Sequence, residues 1–211
     1  MNLYEWEPLF EAKIAEVVGA IDPAHDLLHF KRVVASAKLL CAQEKARLEI
    51  VLPAAWLHDV VIIAKDDPRR KQASKLSADA AVEFLKTINY PENYLAEIHH
   101  AIVAHSFSAN IETKSLEASI VQDADRLDAL GAIGLARCFV VAGMLKRPLY
   151  SEQDPFARER PINDQEFTID HFYAKLFKIA DTLKTSAGQQ EGARRVALMK
   201  RYLNDLSLEI S

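Results

Sequence analysis

Apolar residues recur at spacings of three and four along most of the chain, which is the pattern of amphipathic α-helices. The first such segment covers about residues 3–20, a second runs from near Asp22 to Cys41, and a third covers about residues 49–64. No segment shows the period-two alternation of a half-buried strand above the helical pattern. The pattern of apolar positions therefore predicts an all-α protein.

Prolines and capping residues predict where several of these helices begin. Asp22 suits an N-cap and Pro23 the first helical position of the second helix. Pro53 is compatible with the third helix if it lies in the first turn, where backbone N–H groups have no intrahelical partner. Ser77 is expected to cap a helix that continues to about Lys86.

The second half of the chain continues the helical pattern. It predicts a helix after Pro91, a long helical region from Leu116 through Leu145, and two amphipathic helices near 167–184 and 190–208. A proline-interrupted connection, from about Pro148 to Asn163, separates the long helical region from the two amphipathic helices. Because no linker, repeat or low-complexity segment divides the chain, we expect one domain over residues 1–211, with the C-terminal helices completing a bundle.

Composition narrows the class of protein. Half of the 211 residues are hydrophobic and the formal net charge is −4, so no global positive field is available to hold long nucleic acid. No apolar run approaches the roughly 18 residues of a membrane span, and the first residues do not resemble a signal peptide. We therefore expect a cytoplasmic protein with no membrane association, in which Cys41 and Cys138 are reduced.

The candidate chemistry begins with His58 and Asp59, two metal-ligand residues that end an apolar run. Adjacent helical side chains point about 100° apart, so this pair can meet on one object only where its helix contacts a neighbour. A metal ion is such an object. His25 and His29 lie four residues apart and share a helix face that continues into apolar residues, which makes an inward-facing histidine a possible further ligand.

Two later segments add polar residues to apolar helix faces. Leu95, Ile98, Ile102 and His105 fall on one stripe, which makes His105 a candidate site residue. Asp123, Asp125 and Asp128 fall in one stretch of six residues inside a predicted apolar helix. Because a buried carboxylate without a partner is costly, these aspartates predict a bound metal or arginine partners.

Three parts of the sequence together resemble the HD-domain metal-dependent phosphohydrolases, an all-helical superfamily. They are His29 with Arg32-Val33, then Trp56-Leu57-His58-Asp59, then Gln122-Asp123-Ala124-Asp125-Arg126-Leu127-Asp128. The stretches around His25, His105-Ser106-Phe107-Ser108 and Asp154-Pro155-Phe156 further resemble its bacterial stand-alone members. The resembling region covers about residues 22–135. It implies an HD-domain-like helical bundle and four metal ligands, which are His29, His58, Asp59 and Asp125.

Two imidazoles and two carboxylates form a mixed nitrogen and oxygen set that suits Mn²⁺, Mg²⁺, Fe²⁺, Ni²⁺ or Zn²⁺. The absence of a thiolate argues against a structural zinc site. The metal is therefore expected to be catalytic. The resemblance implies hydrolysis of a phosphoester or phosphoanhydride by a metal-bound water, and the expected substrate is a small phosphorylated molecule, most readily a nucleotide.

Further roles follow from the same resemblance. Asp26 or Asp128 could orient the attacking water as a general base. Lys65, Arg69 and Arg126 are the cations expected near the substrate phosphates, and His105 could bind phosphate or contribute to a second metal.

Two alternatives remain open at this point. One is a phosphomonoesterase acting on a metabolite other than a nucleotide, and the other is a helical metal-binding regulatory module without turnover. The expected protein is a monomer or a homodimer.

Overall fold

The computed structural model describes residues 3–18, 26–63, 67–106 and 109–210. Within these ranges the ordered elements are helices and no strand is present, so the prediction of an all-α fold is confirmed. The α-helices are α1 (Glu7–Val17), α2 (Leu27–Glu44), α3 (Leu48–Leu57), α4 (Ala73–Thr87), α5 (Leu95–His105), α6 (Leu116–Leu127), α7 (Gly131–Met144), α8 (Phe177–Ala180) and α9 (Ser186–Glu209). A π-helical turn, Phe172–Leu176, leads into α8.

The chain divides into two compact units. The first consists of Met1–Asp125 and Lys184–Gly188, and the second consists of Arg126–Leu183 and Gln189–Ser211. The first unit therefore contains helices α1 to α5, and the second contains α7 and α8. The expectation of a single domain over the whole chain stays a prediction.

In the part of the chain that the structure describes, no single helix is both long and apolar enough to cross a membrane. Helices α6 and α7 satisfy the criterion of length and composition only as a pair joined by a bend, and core helices satisfy it as well. Cys41 and Cys138 are both free thiols.

Helix α3 forms the centre of the first unit. Every residue from Ile50 to Leu57 is buried, and a helix that is apolar on all sides belongs inside a protein. Helices α1, α2 and α5 pack around it, with Phe10 and Phe30 among the side chains that are fully buried there. The residue that follows α3 is consequently delivered into the protein interior.

Helix α2 begins later than the capping pattern predicts. Its first residue is Leu27 and its N-cap is Asp26, whose Oδ1 accepts a hydrogen bond from the backbone N–H of His29 at 2.8 Å. The predicted cap and first position, Asp22 and Pro23, lie outside the described residues. Asp26 thus satisfies one of the N–H groups that every helix start leaves without an intrahelical partner.

The predictions about helix α3 are wrong at its end and at its proline. The helix ends at Leu57 rather than near residue 64, and Pro53 lies in its interior rather than in its first turn. Proline has no N–H to offer to the carbonyl four residues earlier, which belongs to Glu49. The hydroxyl of Tyr90 donates to that carbonyl instead, at 2.6 Å, so the proline leaves no unsatisfied acceptor.

Two other boundaries differ from the predictions. Helix α4 begins at Ala73, so Ser77 is a buried residue inside the helix rather than its cap. The long helical region breaks into α6 and α7, and the second of these begins at Gly131, whose φ of +71° favours glycine. The predicted helices after Pro91 and near 190–208 are present as α5 and α9.

Replacing Tyr90 by phenylalanine should destabilise the protein while keeping the aromatic ring. The change removes the donor to the partly buried Glu49 carbonyl, which costs about 1 kcal/mol of unfolding free energy. Urea denaturation measures this quantity. Tyr94→Phe is the matched control and should change it by less than about 0.5 kcal/mol, so equal losses in the two variants would contradict the interpretation.

Candidate metal centre

His58 follows the last residue of α3 and is completely buried. Its Nδ1 lies 2.8 Å from the carbonyl oxygen of Ala55. Because a carbonyl can only accept, Nδ1 carries the proton and donates it. This acceptor is available because the last four carbonyls of a helix have no intrahelical donor. The other ring nitrogen, Nε2, therefore holds a lone pair, and it is buried without a hydrogen-bond partner among the described residues.

His105 repeats this arrangement at the end of α5. Its Nδ1 donates to the carbonyl of Ile102 at 2.6 Å, so the spacing from histidine to acceptor is again three residues. Its Nε2 lies 3.5 Å from Oδ1 of Asp59. The His105 ring is 5.0 Å from the His58 ring, measured between centroids, so the two helix ends bring their imidazoles together.

Helices α2 and α6 supply the remaining side chains of the cluster. His29, in the first turn of α2, has its Nε2 at 3.7 Å from Oδ1 of Asp125. His58 Nε2 lies 3.8 Å from the same carboxylate oxygen. The ring of Phe30 packs against both imidazoles, with centroid distances of 5.4 and 5.1 Å, and so covers them with apolar surface.

The distances within each of two groups of side chains fit a bound metal ion. The cluster contains two triads that share His58, one with His29 and Asp125 and the other with Asp59 and His105, and within each triad the ligand atoms lie within 4.8 Å of one another. Donors bound at about 2.1 Å to one ion lie roughly 3.0–4.2 Å apart at bond angles of 90–180°. The buried lone pair of His58 is the kind of orphaned atom that a metal satisfies.

The cluster has a buried side and an open side. The three histidines are at most 4% exposed, whereas the side chains of Asp59 and Asp125 are 28% and 29% exposed. Imidazoles thus form its floor and carboxylates its solvent-facing edge. A ligand that approaches from solvent meets the carboxylates and any ion that they hold.

The imidazoles of His58 and His105 differ in charge. Burial lowers the pKa of His58 to about 4, against the opposing charge of Asp59, so its imidazole is neutral at pH 7. Burial also acts to lower the pKa of His105, but the hydrogen bond and charge of Asp59, with the charge of Asp125, outweigh it and raise that pKa to about 9. The carboxylates therefore dominate the electrostatics at the His105 end of the cluster.

The three neighbouring aspartates of the α6 region have three different partners. Asp123 is fully buried, and its carboxylate accepts hydrogen bonds from the backbone N–H groups of Lys184 and Thr185, both at 2.8 Å, and from the Thr185 hydroxyl at 2.7 Å. Asp125 faces the histidines. Asp128, in the second unit, pairs with Arg137 at 2.5 Å. The expected arginine partner is thus present for Asp128, whereas Asp123 binds backbone amides and a hydroxyl. Metal binding by Asp125 stays a prediction.

The other predicted site residues lie in varied surroundings. Asp26 caps α2, and Arg69 forms a forked pair with Asp67 in an exposed 3₁₀ turn, with nitrogen to oxygen distances of 3.1 and 2.8 Å. Lys65 lies outside the described residues. Arg126, in the second unit, donates from Nη1 to the carbonyl of Thr182 at 2.8 Å. Their proposed catalytic and substrate-binding roles, like that of Asp128, stay predictions.

Two supporting residues were not anticipated from the sequence. Gln122 is buried and donates from Nε2 to the carbonyl of Ala104 at 2.7 Å, next to His105. Ser77 of α4 accepts a hydrogen bond from the backbone N–H of Val61 at 3.2 Å, two residues after Asp59. The one signal available in the sequence was a polar residue on an otherwise apolar helix. The hydrogen-bond partners themselves could not be predicted, because neither is close in sequence to the residue that it contacts.

The described residues form an all-helical fold with a cluster of histidines and aspartates that could hold a metal ion, and comparisons with known proteins identify its family. The HD domain model matches residues 27–130. The Bacillus subtilis protein YpgQ is 30% identical over 190 residues, which cover 88% of this chain and 84% of YpgQ. The L803 protein of Acanthamoeba polyphaga mimivirus is 25% identical, with 84% and 85% covered.

Solved structures show the same relationship. The crystal structure of YpgQ in complex with ADP has a TM-score of 0.76 at 27% identity and covers 99% of this chain and 97% of its own. An HD-superfamily hydrolase from Bacillus thuringiensis has a TM-score of 0.78 at 28% identity, with 99% and 98% covered. The chain belongs to the HD-domain superfamily.

Asparagine substitutions should separate the structural aspartate from the candidate ligand. Asp123→Asn weakens an acceptor of buried backbone amides, so we expect a loss of about 1–3 kcal/mol in unfolding free energy with metal still bound below the melting temperature. Asp125→Asn should instead reduce bound metal while the metal-free protein keeps its stability. Calorimetry and elemental analysis measure the two effects, and the reverse assignment of losses would contradict the division.

Proposed function

We propose that this protein is a metal-dependent phosphohydrolase that cleaves a small phosphorylated substrate, and that this substrate is a nucleotide. One observation carries the proposal: His29, His58, Asp59, Asp125 and His105 converge in the first unit around a buried imidazole lone pair. Membership of the HD-domain superfamily, with relatives described as hydrolases, supports the same conclusion.

Each residue of the cluster has a task that follows from its environment. His29, His58, Asp59 and Asp125 would hold a divalent ion, which supplies an acidified water and polarises a phosphoryl oxygen. The carbonyls of Ala55 and Ile102 fix which nitrogen of each following imidazole faces the cluster, as carbonyl partners do for many metal-bound histidines.

His105 has two possible tasks in this proposal. Its Nε2 lies 3.5 Å from Asp59, and this position supports contact with a substrate phosphate or with a second ion. The partly exposed carboxylates of Asp59 and Asp125 leave the phosphate an approach from solvent.

The choice of a nucleotide depends on a relative. YpgQ, which shares the fold over nearly the whole chain, crystallises in complex with ADP. For the present protein the nucleotide is a proposal. A phosphomonoesterase acting on another metabolite would use the same metal centre, and a regulatory module would bind metal without turnover, so the three possibilities must be separated by activity.

A metal-supplemented substrate screen tests the proposal. Purified protein is incubated with Mn²⁺, Mg²⁺, Fe²⁺, Ni²⁺ or Zn²⁺ and with a set of nucleoside mono-, di- and triphosphates, sugar phosphates and p-nitrophenyl phosphate. Inorganic phosphate and pyrophosphate are measured separately, because the product identifies the bond that is cleaved. Metal-dependent release from nucleotides supports the proposal. Release only from other esters supports the phosphomonoesterase, and bound metal with no release supports the regulatory module.

His58→Ala should remove both bound metal and activity while the helical content is retained. The variant deletes the imidazole that is common to both triads, and loss of one ligand weakens metal binding strongly. His99→Ala is the matched control, since His99 pairs with Asp79 on the surface at 2.9 Å and should keep metal and rate. Elemental analysis and the phosphate assay give the result. Full metal occupancy in His58→Ala would refute the ligand assignment.

Arg126→Lys should lower the melting temperature. The guanidinium of Arg126 donates to the carbonyl of Thr182, and lysine keeps the charge but loses the planar donor fork that makes such contacts. A fall of a few degrees in thermal unfolding corresponds to about 1 kcal/mol. An unchanged melting temperature together with a raised KM for the best substrate would instead assign Arg126 to the substrate phosphates, as the sequence-based hypothesis has it.

A further inference from the structure

The second unit contains a cleft of about 650 Å³, a volume typical of small-molecule sites. Its lining combines aromatic rings with two cations and an amide. The residues that matter here are Phe156, Arg158, Tyr173, Phe177, Lys200 and Asn204. No member of the histidine and aspartate cluster belongs to this unit, so the cleft is not part of the candidate metal centre.

The two cations of the cleft lie against aromatic rings rather than carboxylates. The guanidinium carbon of Arg158 is 5.8 Å from the centroid of Phe156, and Nζ of Lys200 is 5.8 Å from the centroid of Phe177. Among the described residues neither cation forms an ion pair, and no carboxylate lines the cleft. Both residues are exposed, so their positive charge is available to an anionic ligand that arrives from solvent.

The loop that carries Phe156 and Arg158 is held in a defined conformation. The carboxylate of Asp154 accepts backbone hydrogen bonds from residues 158, 159 and 160 at 2.8–3.1 Å. Ala157 has a φ of +49°, a left-handed conformation that costs a non-glycine residue about 1 kcal/mol or more. The hydrogen bonds to Asp154 therefore hold the loop in an unfavourable backbone conformation at Ala157, the residue between Phe156 and Arg158.

A buried ion pair anchors the end of the same loop. Arg160 contacts the carboxylate of Asp170 through both terminal nitrogens, at 2.6 and 2.7 Å, and Asp170 is fully buried. Bidentate pairs of this kind fix orientation as well as distance. The guanidinium of Arg160 also lies 4.5 Å from the centroid of Phe167. The loop is consequently ordered before any ligand arrives, which reduces the entropy cost of binding.

The π-helical turn and the residue after it also line the cleft. Tyr173 lies in that turn and Phe177 follows it, and their rings are 5.7 Å apart in an edge-to-face arrangement. Burial raises the pKa of Tyr173, against the opposing charge of Arg158, so its hydroxyl stays protonated as a hydrogen-bond donor. π-helical turns are rare and are frequent at functional sites.

We propose that this cleft binds a nucleoside diphosphate or triphosphate, with its base against the aromatic rings and its phosphates at Arg158 and Lys200. Two cations match a ligand with two or more negative charges, whereas a simple aromatic carboxylate has one. Flat aromatic surfaces accept a base by stacking, and the amide of Asn204 offers both a donor and an acceptor to a base edge. The proposal does not depend on the proposed hydrolytic function.

Binding of a fluorescent ADP analogue in EDTA tests the proposal, because chelation removes the metal that a nucleotide at the histidine cluster would need. We expect saturable binding by the complete protein. Arg158→Glu and Lys200→Glu should each weaken it by about tenfold or more, since each replaces a charge-assisted contact by a repulsion. Arg201→Glu makes the same charge change on the neighbouring, exposed residue of α9 and should change affinity by less than about twofold.

Two further arms decide between sources of binding. His58→Ala should bind the analogue as the unmodified protein does, so a loss in that variant with retention in Lys200→Glu would overturn the proposal. Unlabelled ADP should compete at least tenfold better than either pyrophosphate or adenosine. Competition by pyrophosphate as strong as by ADP would show an anion site without base recognition and would also overturn it. None of these outcomes depends on whether the protein hydrolyses nucleotides.

Discussion

A hydrogen bond from a histidine ring to the carbonyl three residues earlier determines how two imidazoles of the candidate metal centre are oriented. His58 forms it with Ala55 and His105 forms it with Ile102. In both cases the acceptor is free only because the helix stops there, since one more turn would supply a backbone N–H to the same carbonyl. The end of each helix therefore fixes the orientation of its imidazole and directs Nε2 toward the other residues of the cluster. For the neutral imidazole of His58 it also fixes the tautomer.

The apolar core of the first unit determines the protonation state of His58 in the candidate metal centre. Helix α3 is apolar on every side and fully enclosed from Ile50 to Leu57, so the histidine that follows it enters an environment of low polarity. That environment keeps the imidazole neutral, as a metal ligand must be. Asp59, one residue further along, is already partly exposed. One step along the chain thus separates the buried floor of the cluster from its open edge.

The helical class could be predicted because a 3.6-residue period is local in sequence. In the cluster only His58 and Asp59 form a short local motif, and the resemblance to a known family joined the distant residues His29 and Asp125 to it. The residues that support them could not. Asp123 contacts backbone groups 61 residues away, and Ser77 holds Val61 across 16 residues. No glycine or proline marks the end of α3, so its boundary was placed too late. That boundary depends on tertiary contacts that a local pattern does not contain.

The internal proline of α3 has a consequence for how related chains are compared. Pro53 withdraws a donor from Glu49, and Tyr90 replaces it from another part of the first unit. A chain in which another residue occupies position 53 regains that donor, and its position 90 is then free to become phenylalanine. Positions 53 and 90 should accordingly vary together among homologues, although they lie far apart in sequence and neither belongs to the metal cluster. Their correlated substitution would show that the Tyr90 hydroxyl compensates for the N–H group that Pro53 lacks.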